Sequence, residues 1–158
     1  MKPKKAETFR SWEIAFPNDA NPLGTLFGGR LMAIMDKMAA IAATRYAEKP
    51  TVTASTEAMD FKVPVRVGDR IQTFARVVWV GHTSMVVKVD VYAERPYHFQ
   101  RFHCTTAYFN FVAVDREGRP SPVPPLLIET PEEEREFRIA EIVKKKALER
   151  KKKIEETR

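Results

Sequence analysis

The sequence is poor in the residues that build disulfides and metal sites. It contains one cysteine, Cys104, among 158 residues. A lone cysteine cannot form an internal disulfide and cannot supply a cysteine-rich metal framework. The three histidines have no metal-binding spacing, and none belongs to an HExxH motif. We therefore expect a protein of a reducing compartment with no metal site.

Long hydrophobic runs are also absent. No stretch approaches the ~18–20 apolar residues that span a bilayer. The N-terminal sequence MKPKKAETFR continues into polar residues without the apolar segment of a signal peptide. We therefore expect a cytoplasmic protein with no membrane-bound segment.

Positive charge is concentrated in one place. The formal net charge is +6, and residues 144–153 carry seven positive charges and one negative charge, so the rest of the chain is balanced. This basic stretch has no interleaved aromatic residues, which is typical of a solvated helix and not of a nucleic-acid interface. We therefore expect no nucleic-acid partner.

The residue pattern predicts a short strand, a buried helix and then four strands. The strand is predicted where Trp12, Ile14 and Phe16 alternate with polar residues. Residues 28–48 are rich in Leu, Met and Ala and predict a helix that other structure encloses. Four strand-like segments follow, at 51–61, 70–80, 83–94 and 101–114. This order predicts an antiparallel sheet curled around one helix and excludes a doubly wound α/β fold.

The length suits one domain with an appendage. We assign residues 9–118 to the domain, 119–131 to a proline-rich linker and 132–158 to a charged C-terminal helix. Thr130, Pro131 and the acidic residues after them are typical of a helix start. The helix has a thin apolar stripe, which suits packing against the domain or against a neighbouring subunit.

Three features could carry chemistry. Asp36 lies among apolar residues, and burying a carboxylate is costly unless a partner or a function offsets it. It could be a functional group or a structural aspartate held by backbone donors or by a lysine. Asn21 could equally be a turn residue, and Gly28–Gly29 could equally permit a tight turn into the helix. On the residues alone these alternatives stay open.

Other nucleophiles are disfavoured. Ser55 and Ser84 lack the GxSxG context of a serine hydrolase. Cys104 lies within a predicted strand, where a small buried side chain is the simpler interpretation. His103 is interpreted in the same way, as a packing residue.

The stretch from Pro17 to Asp36, PNDANPLGTLFGGRLMAIMD, resembles the signature of the acyl-coenzyme A (acyl-CoA) thioesterases of the hotdog fold. The spacing from Asn21 through Gly28–Gly29 to Asp36 makes the resemblance specific. It extends over about residues 9–137. The supporting segments are FKVPVRVGD at 61–69, GHTSM at 81–85, QRFHCTTAYFNFVAVDREGRP at 100–120 and VPPLLIETPEEEREF at 123–137. Arg30 replaces a bulky apolar residue and Ala20 a threonine that are common in the family, and Arg30 could alter the edge of the site.

The resemblance implies an α+β hotdog fold: an antiparallel sheet wrapped around one long central helix, plus a C-terminal helical extension. It also implies a homodimer in which two sheets become continuous, and a trimer of dimers as the further assembly. The implied reaction is hydrolysis of acyl-CoA to free fatty acid and CoA, within fatty acid metabolism and without a cofactor.

The resemblance further implies a site at the dimer interface, with Asp36 from one subunit and Asn21 from the other. Asp36 would act as general base on water or, as the lesser variant, as nucleophile. Asn21 would position the water or the carbonyl, and the Gly29 N–H would stabilise the oxyanion. A surface role is an open alternative for each candidate contact to the CoA moiety: Arg66, Thr83, Ser84 and Arg101.

A non-catalytic acyl-CoA-binding or sensing module that keeps the fold is the alternative function. The intact pair of Asn21 and Asp36 argues against it. A hotdog hydratase is disfavoured because no histidine lies beside Asp36 in the helix.

Overall fold

A computed structural model of the chain describes residues 1–57 and 59–158. Within these residues it contains one five-stranded antiparallel sheet and two α-helices, with a 3₁₀ turn at Pro17–Asp19. In chain order the elements are β1 (Thr8–Ile14), α1 (Gly28–Ala47), β2 (Thr51–Thr56), β3 (Arg70–Val80), β4 (Ser84–Glu94), β5 (Arg101–Ala113) and α2 (Pro131–Thr157). The predicted sheet around one helix, followed by a C-terminal helix, is confirmed.

The strand order in the sheet is β1-β3-β4-β5-β2, so β1 and β2 are the two edges. After α1 the chain enters β2, which pairs with β5, the last strand in sequence. Thr53 lies opposite Phe111 and Ser55 lies opposite Asn110, so the register shifts at Ala54. Among the described residues, no strand pairs with the outer side of β2, which leaves backbone hydrogen-bonding groups of this edge without a ladder partner.

The core lies between α1 and the concave face of the sheet. The strand β4 alternates as expected: its inward side chains are fully buried, whereas Lys88 and Asp90 face the other side. Their partners are α1 residues such as Met35 and Ala39, which are also fully buried. Burying one such aliphatic side chain contributes about 1.5–3 kcal/mol. The inward residues of β4 are Met85, Val87, Val89, Val91 and Ala93.

The protomer does not enclose α1 on every side, in contrast to the prediction. Met32, Ala33, Lys37 and Ile41 are exposed. The outer edge of the sheet differs from expectation too. The strand β1 runs from Thr8 to Ile14, so Phe16 lies beyond its end. The three apolar residues that predicted this strand are exposed: Trp12, Ile14 and Phe16. The strand β2 ends at Thr56 and not at residue 61.

The helix α2 packs on the convex face, opposite α1. The Thr130 side chain caps it by accepting a hydrogen bond from the Glu133 N–H at 3.1 Å. Ala140 is fully buried against Val78 and Val86. The helix begins at Pro131, one residue before the predicted start, so the linker is 119–130. The linker contains only isolated bridges and lies against the domain, with the Tyr46 hydroxyl 2.9 Å from the carbonyl oxygens of Pro124 and Pro125. Of the helices in the described part of the chain, none is both long enough and apolar enough to cross a membrane.

A core substitution tests this packing. Phe109 is 1% exposed beneath α1, whereas Phe99, in the turn between β4 and β5, is 76% exposed. We expect Phe109→Ala to lower the free energy of unfolding by about 3–5 kcal/mol because it leaves a cavity. Phe99→Ala should change it by less than ~0.5 kcal/mol. Urea denaturation measures both, and equal effects would contradict the assigned core.

Candidate active site

The carboxylate of Asp36 lies where α1 passes the edge strand β2. It is half-buried, and the Thr53 hydroxyl donates a hydrogen bond to Asp36 Oδ1 at 2.9 Å. Thr53 can reach α1 because it occupies an inward-facing position of β2, opposite the buried Phe111. The partner of Asp36 is therefore a hydroxyl, and not the backbone donors or the lysine that a structural role suggested. Sequence reasoning missed Thr53, since seventeen residues separate the two.

The surface around Asp36 is open and partly apolar. Met32 and Ala33, one helical turn before Asp36, are exposed. Residues three and four positions apart share one face of a helix. A carboxylate thus lies at the margin of an apolar surface that the protomer leaves uncovered.

The N-terminus of α1 is also uncovered. Phe27 provides no side-chain cap, and the first turn holds no acidic residue. Among the described residues, no hydrogen bond engages the N–H groups of Gly28 and Gly29. A Cβ added at Gly29 would meet nothing within 4 Å. The positive end of the helix therefore offers free donors to an anionic oxygen.

Asn21 shapes the loop that leads into α1. Its Oδ1 accepts hydrogen bonds from the Leu23 N–H at 2.9 Å and the Thr25 N–H at 3.2 Å, and its Nδ2 donates to Thr25 Oγ1 at 2.8 Å. The Phe27 N–H donates to the Asp19 carbonyl at 3.0 Å, which closes the loop beside the helix start. Nδ2 carries a second hydrogen, so the turn role and a binding role are compatible.

Arg30 connects three elements at this end of the protein. Its Nη2 lies 3.3 Å from Glu13 Oε1 in β1, and its Nε lies 3.5 Å from Asp19 Oδ1 in the loop. The residue that departs from the pattern of the resembling family therefore holds the loop of Asn21 against α1. Sequence reasoning identified the departure but not these two partners.

One protomer presents the three predicted catalytic residues at two places. Asn21 and Gly29 lie together at the N-terminus of α1. Asp36 lies seven residues beyond Gly29, which is ~10 Å along the helix axis. In the described part of the protomer, no hydrogen bond joins Asn21 to Asp36.

The four residues predicted to contact CoA are spread over the protomer. Arg66 lies beside the loop of Asn21, through a backbone bridge with Thr25. Thr83 and Ser84 lie at the opposite end of the sheet, about 34 Å away by the length of β4. Arg101 lies on the convex face, 3.9 Å above the Tyr92 ring. Their role in binding stays a prediction for the assembled protein.

The remaining nucleophile candidate is inert. Cys104 is fully buried, and burial raises the pKa of its thiol to about 11, so almost no thiolate exists at neutral pH. His103 lies on the convex face, where its Nε2 is 2.8 Å from Thr106 Oγ1 and 3.4 Å from Asp90 Oδ1. Neither residue faces the open surface of α1 on which Asp36 lies, so we assign neither of them to the candidate site.

Comparison with known protein families identifies the class of this domain. Residues 23–98 match the thioesterase superfamily. The uncharacterized acyl-CoA thioester hydrolase YkhA of Bacillus subtilis is 42% identical over 118 residues, which cover 75% of this chain and 69% of that protein. The acyl-CoA thioester hydrolase YciA of Escherichia coli is 42% identical over 115 residues, covering 70% of this chain and 86% of that protein.

Solved structures agree. An apo-hexameric acyl-CoA thioesterase superposes with a TM-score of 0.90 at 34% identity, covering 95% of this chain and 97% of that one. The acyl-CoA hydrolase of Staphylococcus aureus, solved with butyryl-CoA, CoA and CoA disulfide, superposes with a TM-score of 0.88 at 33% identity, covering 95% and 92%.

The fold and the matched region define a hotdog-type domain of the thioesterase superfamily. Within that superfamily, the chain belongs to the acyl-CoA thioester hydrolases. The resemblance predicted from the loop and the first half of α1 is confirmed, and so is the predicted enzyme class.

Proposed function

We propose that this protein hydrolyses acyl-CoA thioesters at a site shared between two copies of the chain. The observation that carries the proposal is the half-buried Asp36 carboxylate, held by Thr53 on an open face of α1 at the edge of the sheet. One copy supplies Asp36, and the other supplies Asn21 and Gly29. Asn21 and Gly29 come from the same copy because the loop that contains Asn21 leads directly into the helix that begins at Gly28.

Variants of the Staphylococcus aureus enzyme support the choice of residues. Its solved structures include replacements of one asparagine, one aspartate and one threonine by alanine. Fifteen positions separate that asparagine from the aspartate, and seventeen separate the aspartate from the threonine. The same spacings separate Asn21, Asp36 and Thr53.

Two features of the protomer support a shared site. The face of α1 around Met32 and Ala33 is exposed, and the outer side of β2 has no strand beside it. Antiparallel pairing of β2 with its copy would join the two sheets and bring the open faces of both α1 helices together. We propose this homodimer as the minimal active unit and a trimer of dimers as the complete assembly; the fact that two of the similar solved structures are hexameric supports six copies.

The proposed chemistry begins with Asp36 as general base. Its carboxylate takes a proton from a water molecule as the water oxygen attacks the thioester carbonyl carbon. The carbonyl oxygen becomes an oxyanion. The C–S bond then breaks, the sulfur leaves as CoA thiolate, and Asp36 returns the proton to the thiolate. The products are a fatty acid and CoA, and these steps need no metal or redox cofactor.

The N-terminus of α1 stabilises the charge that develops. The Gly29 N–H donates to the oxyanion at the positive end of the helix, which favours the tetrahedral intermediate over the ground state. The second hydrogen on Asn21 Nδ2 donates to the carbonyl oxygen or orients the water. Thr53 holds Asp36 in position through its hydroxyl group, and the apolar face of α1 adjoins the acyl chain.

The state of the single cysteine bears on the cellular location. A fully buried, unpaired Cys104 suits a reducing compartment. We therefore retain the cytoplasm as the proposed location.

Replacing Asp36 by Asn tests the base. The change keeps the shape of the side chain and an acceptor for Thr53, but the amide cannot take the proton. We expect turnover of an acyl-CoA substrate to fall at least ~100-fold while the oligomer remains folded. Glu141→Gln, the same chemical change on the exposed part of α2, is the control and should keep normal turnover. Near-normal turnover in Asp36→Asn would contradict the assignment.

Gly29 allows a backbone donor to be deleted. Proline is tolerated in the first turn of a helix and has no N–H, so Gly29→Pro removes the proposed oxyanion donor. We expect a loss of roughly 100- to 1000-fold in turnover. Gly29→Ala keeps the N–H and has space for its Cβ within the protomer, so it should retain most activity. Equal losses in both variants would point to crowding instead of a lost donor.

Mixed oligomers test whether the site is shared. Subunits with Asp36→Ala and subunits with Asn21→Asp should each be inactive alone. The Asn21→Asp change keeps the side-chain oxygen that accepts the hydrogen bonds shaping the loop. After equal mixing and reassembly, half of the dimers are mixed, and each mixed dimer holds one intact site. We expect about a quarter of wild-type activity. No recovery in oligomers shown to be mixed would place both residues in one subunit.

A further inference from the structure

The two halves of α2 are held in different ways. The N-terminal half is anchored to the convex face through Ala140, through the ion pair of Glu133 with Arg76 at 3.7 Å and through that of Glu136 with Lys88 at 3.5 Å. We call residues 144–158 the α2 overhang. Its main polar contact with its own protomer is Arg150 Nη1 to Glu57 Oε2 at 2.9 Å. Among the described residues, no hydrogen bond or ion pair joins residues 151–158 to any part of the protomer outside α2.

A cleft of about 480 Å³ separates the α2 overhang from the sheet. Its floor consists of Ala54 and Ser55 in β2 and Asn110 in β5. Its roof includes the apolar residues of the overhang: Ala147, Leu148 and Ile154. Leu148 is 58% exposed and Ile154 is 46% exposed. An apolar underside that faces open space is typical of a surface that another chain covers.

The position of the cleft indicates which chain covers it. The helix α2 contacts β3, β4 and β5, and its overhang faces Ala54 and Ser55 of the edge strand β2 across the cleft. The seven helical residues after Arg150 extend α2 by ~10 Å, whereas neighbouring strands are ~4.8 Å apart. The overhang is therefore long enough to cover a strand added beside β2. On the convex face such a strand, if it is a second β2, presents the exposed Val52 and Ala54.

We propose that the α2 overhang docks onto a second copy of this chain, with Ala147 and Leu148 beside the junction of the two β2 strands and Ile154 over the convex face of the partner's β2 strand. The inference rests on the β2-edge dimer of the proposed function and adds a second contact on the other side of the sheet. Symmetry produces two such contacts in each dimer. Lys145, Lys146, Lys152 and Lys153 do not line the cleft and remain in solvent, whereas Lys144 and Lys151 line it and can keep their ammonium groups at its rim.

A pair of matched substitutions tests the docking. Leu148→Glu and Ile154→Glu place a carboxylate on the underside of the overhang. Ile142→Glu is the control, since Ile142 lies on the same helix, is 59% exposed and does not line the cleft. We expect Leu148→Glu and Ile154→Glu to raise the protein concentration at which dimers dissociate by at least ~10-fold. Ile142→Glu should leave it unchanged. Sedimentation velocity over a dilution series measures this, and circular dichroism verifies that the variants are folded.

The same series separates failure of this inference from failure of the proposed function. If the wild-type chain is monomeric at all concentrations, the shared site is wrong and the docking is wrong with it. If the wild-type chain is dimeric and Leu148→Glu dissociates no more readily than Ile142→Glu, only the docking is overturned. Dissociation of a higher oligomer to stable dimers would locate the overhang between dimers and would also overturn its placement over β2.

Discussion

The packing of α1 into the concave face of the sheet is the interaction on which the rest of the structure depends. Alanines at 39, 42 and 43 let the helix backbone approach the sheet closely, and β4 and β5 supply the larger side chains that fill the remaining space. This fit fixes both the axis and the rotation of α1. The rotation turns Asp36 toward the edge strand β2, and the position of the axis leaves the N-terminus of the helix beside the loop of Asn21.

The same packing leaves the protomer incomplete. A helix that is apolar on most sides needs cover on most sides, but a sheet of five strands reaches only part of it. The uncovered part includes the neighbourhood of Asp36 and lies next to β2, whose outer side has no paired strand among the described residues. The protomer therefore leaves an apolar surface exposed beside Asp36. In the proposed dimer, a second copy covers this surface and completes the site.

The two faces of the sheet carry different groups of residues. On the concave side lie α1, the free N–H groups of Gly28 and Gly29, and the Asp36 carboxylate. On the convex side lie α2 and a set of charged residues such as Lys88 and Asp90, which pair with one another and with the helix. The basic residues of 144–153 belong entirely to the convex side. Their charge is therefore separated by the sheet from the proposed chemistry, and substitutions in the overhang can be expected to act through assembly.

The sequence by itself determined the features that depend on short-range pattern. The alternation of β4, the Leu-, Met- and Ala-rich α1 and the cap at Thr130 predicted the elements, and one loop-helix signature predicted the family and the candidates Asn21, Gly29 and Asp36. Only the tertiary structure decided which residues meet across the chain. The hydroxyl of Thr53 reaches Asp36 because β2 crosses to the far edge of the sheet, and Arg30 reaches Glu13 because β1 lies beside the start of α1. Such contacts depend on register and on helix rotation, which the summed packing of the whole core sets, and no local pattern of residues encodes them.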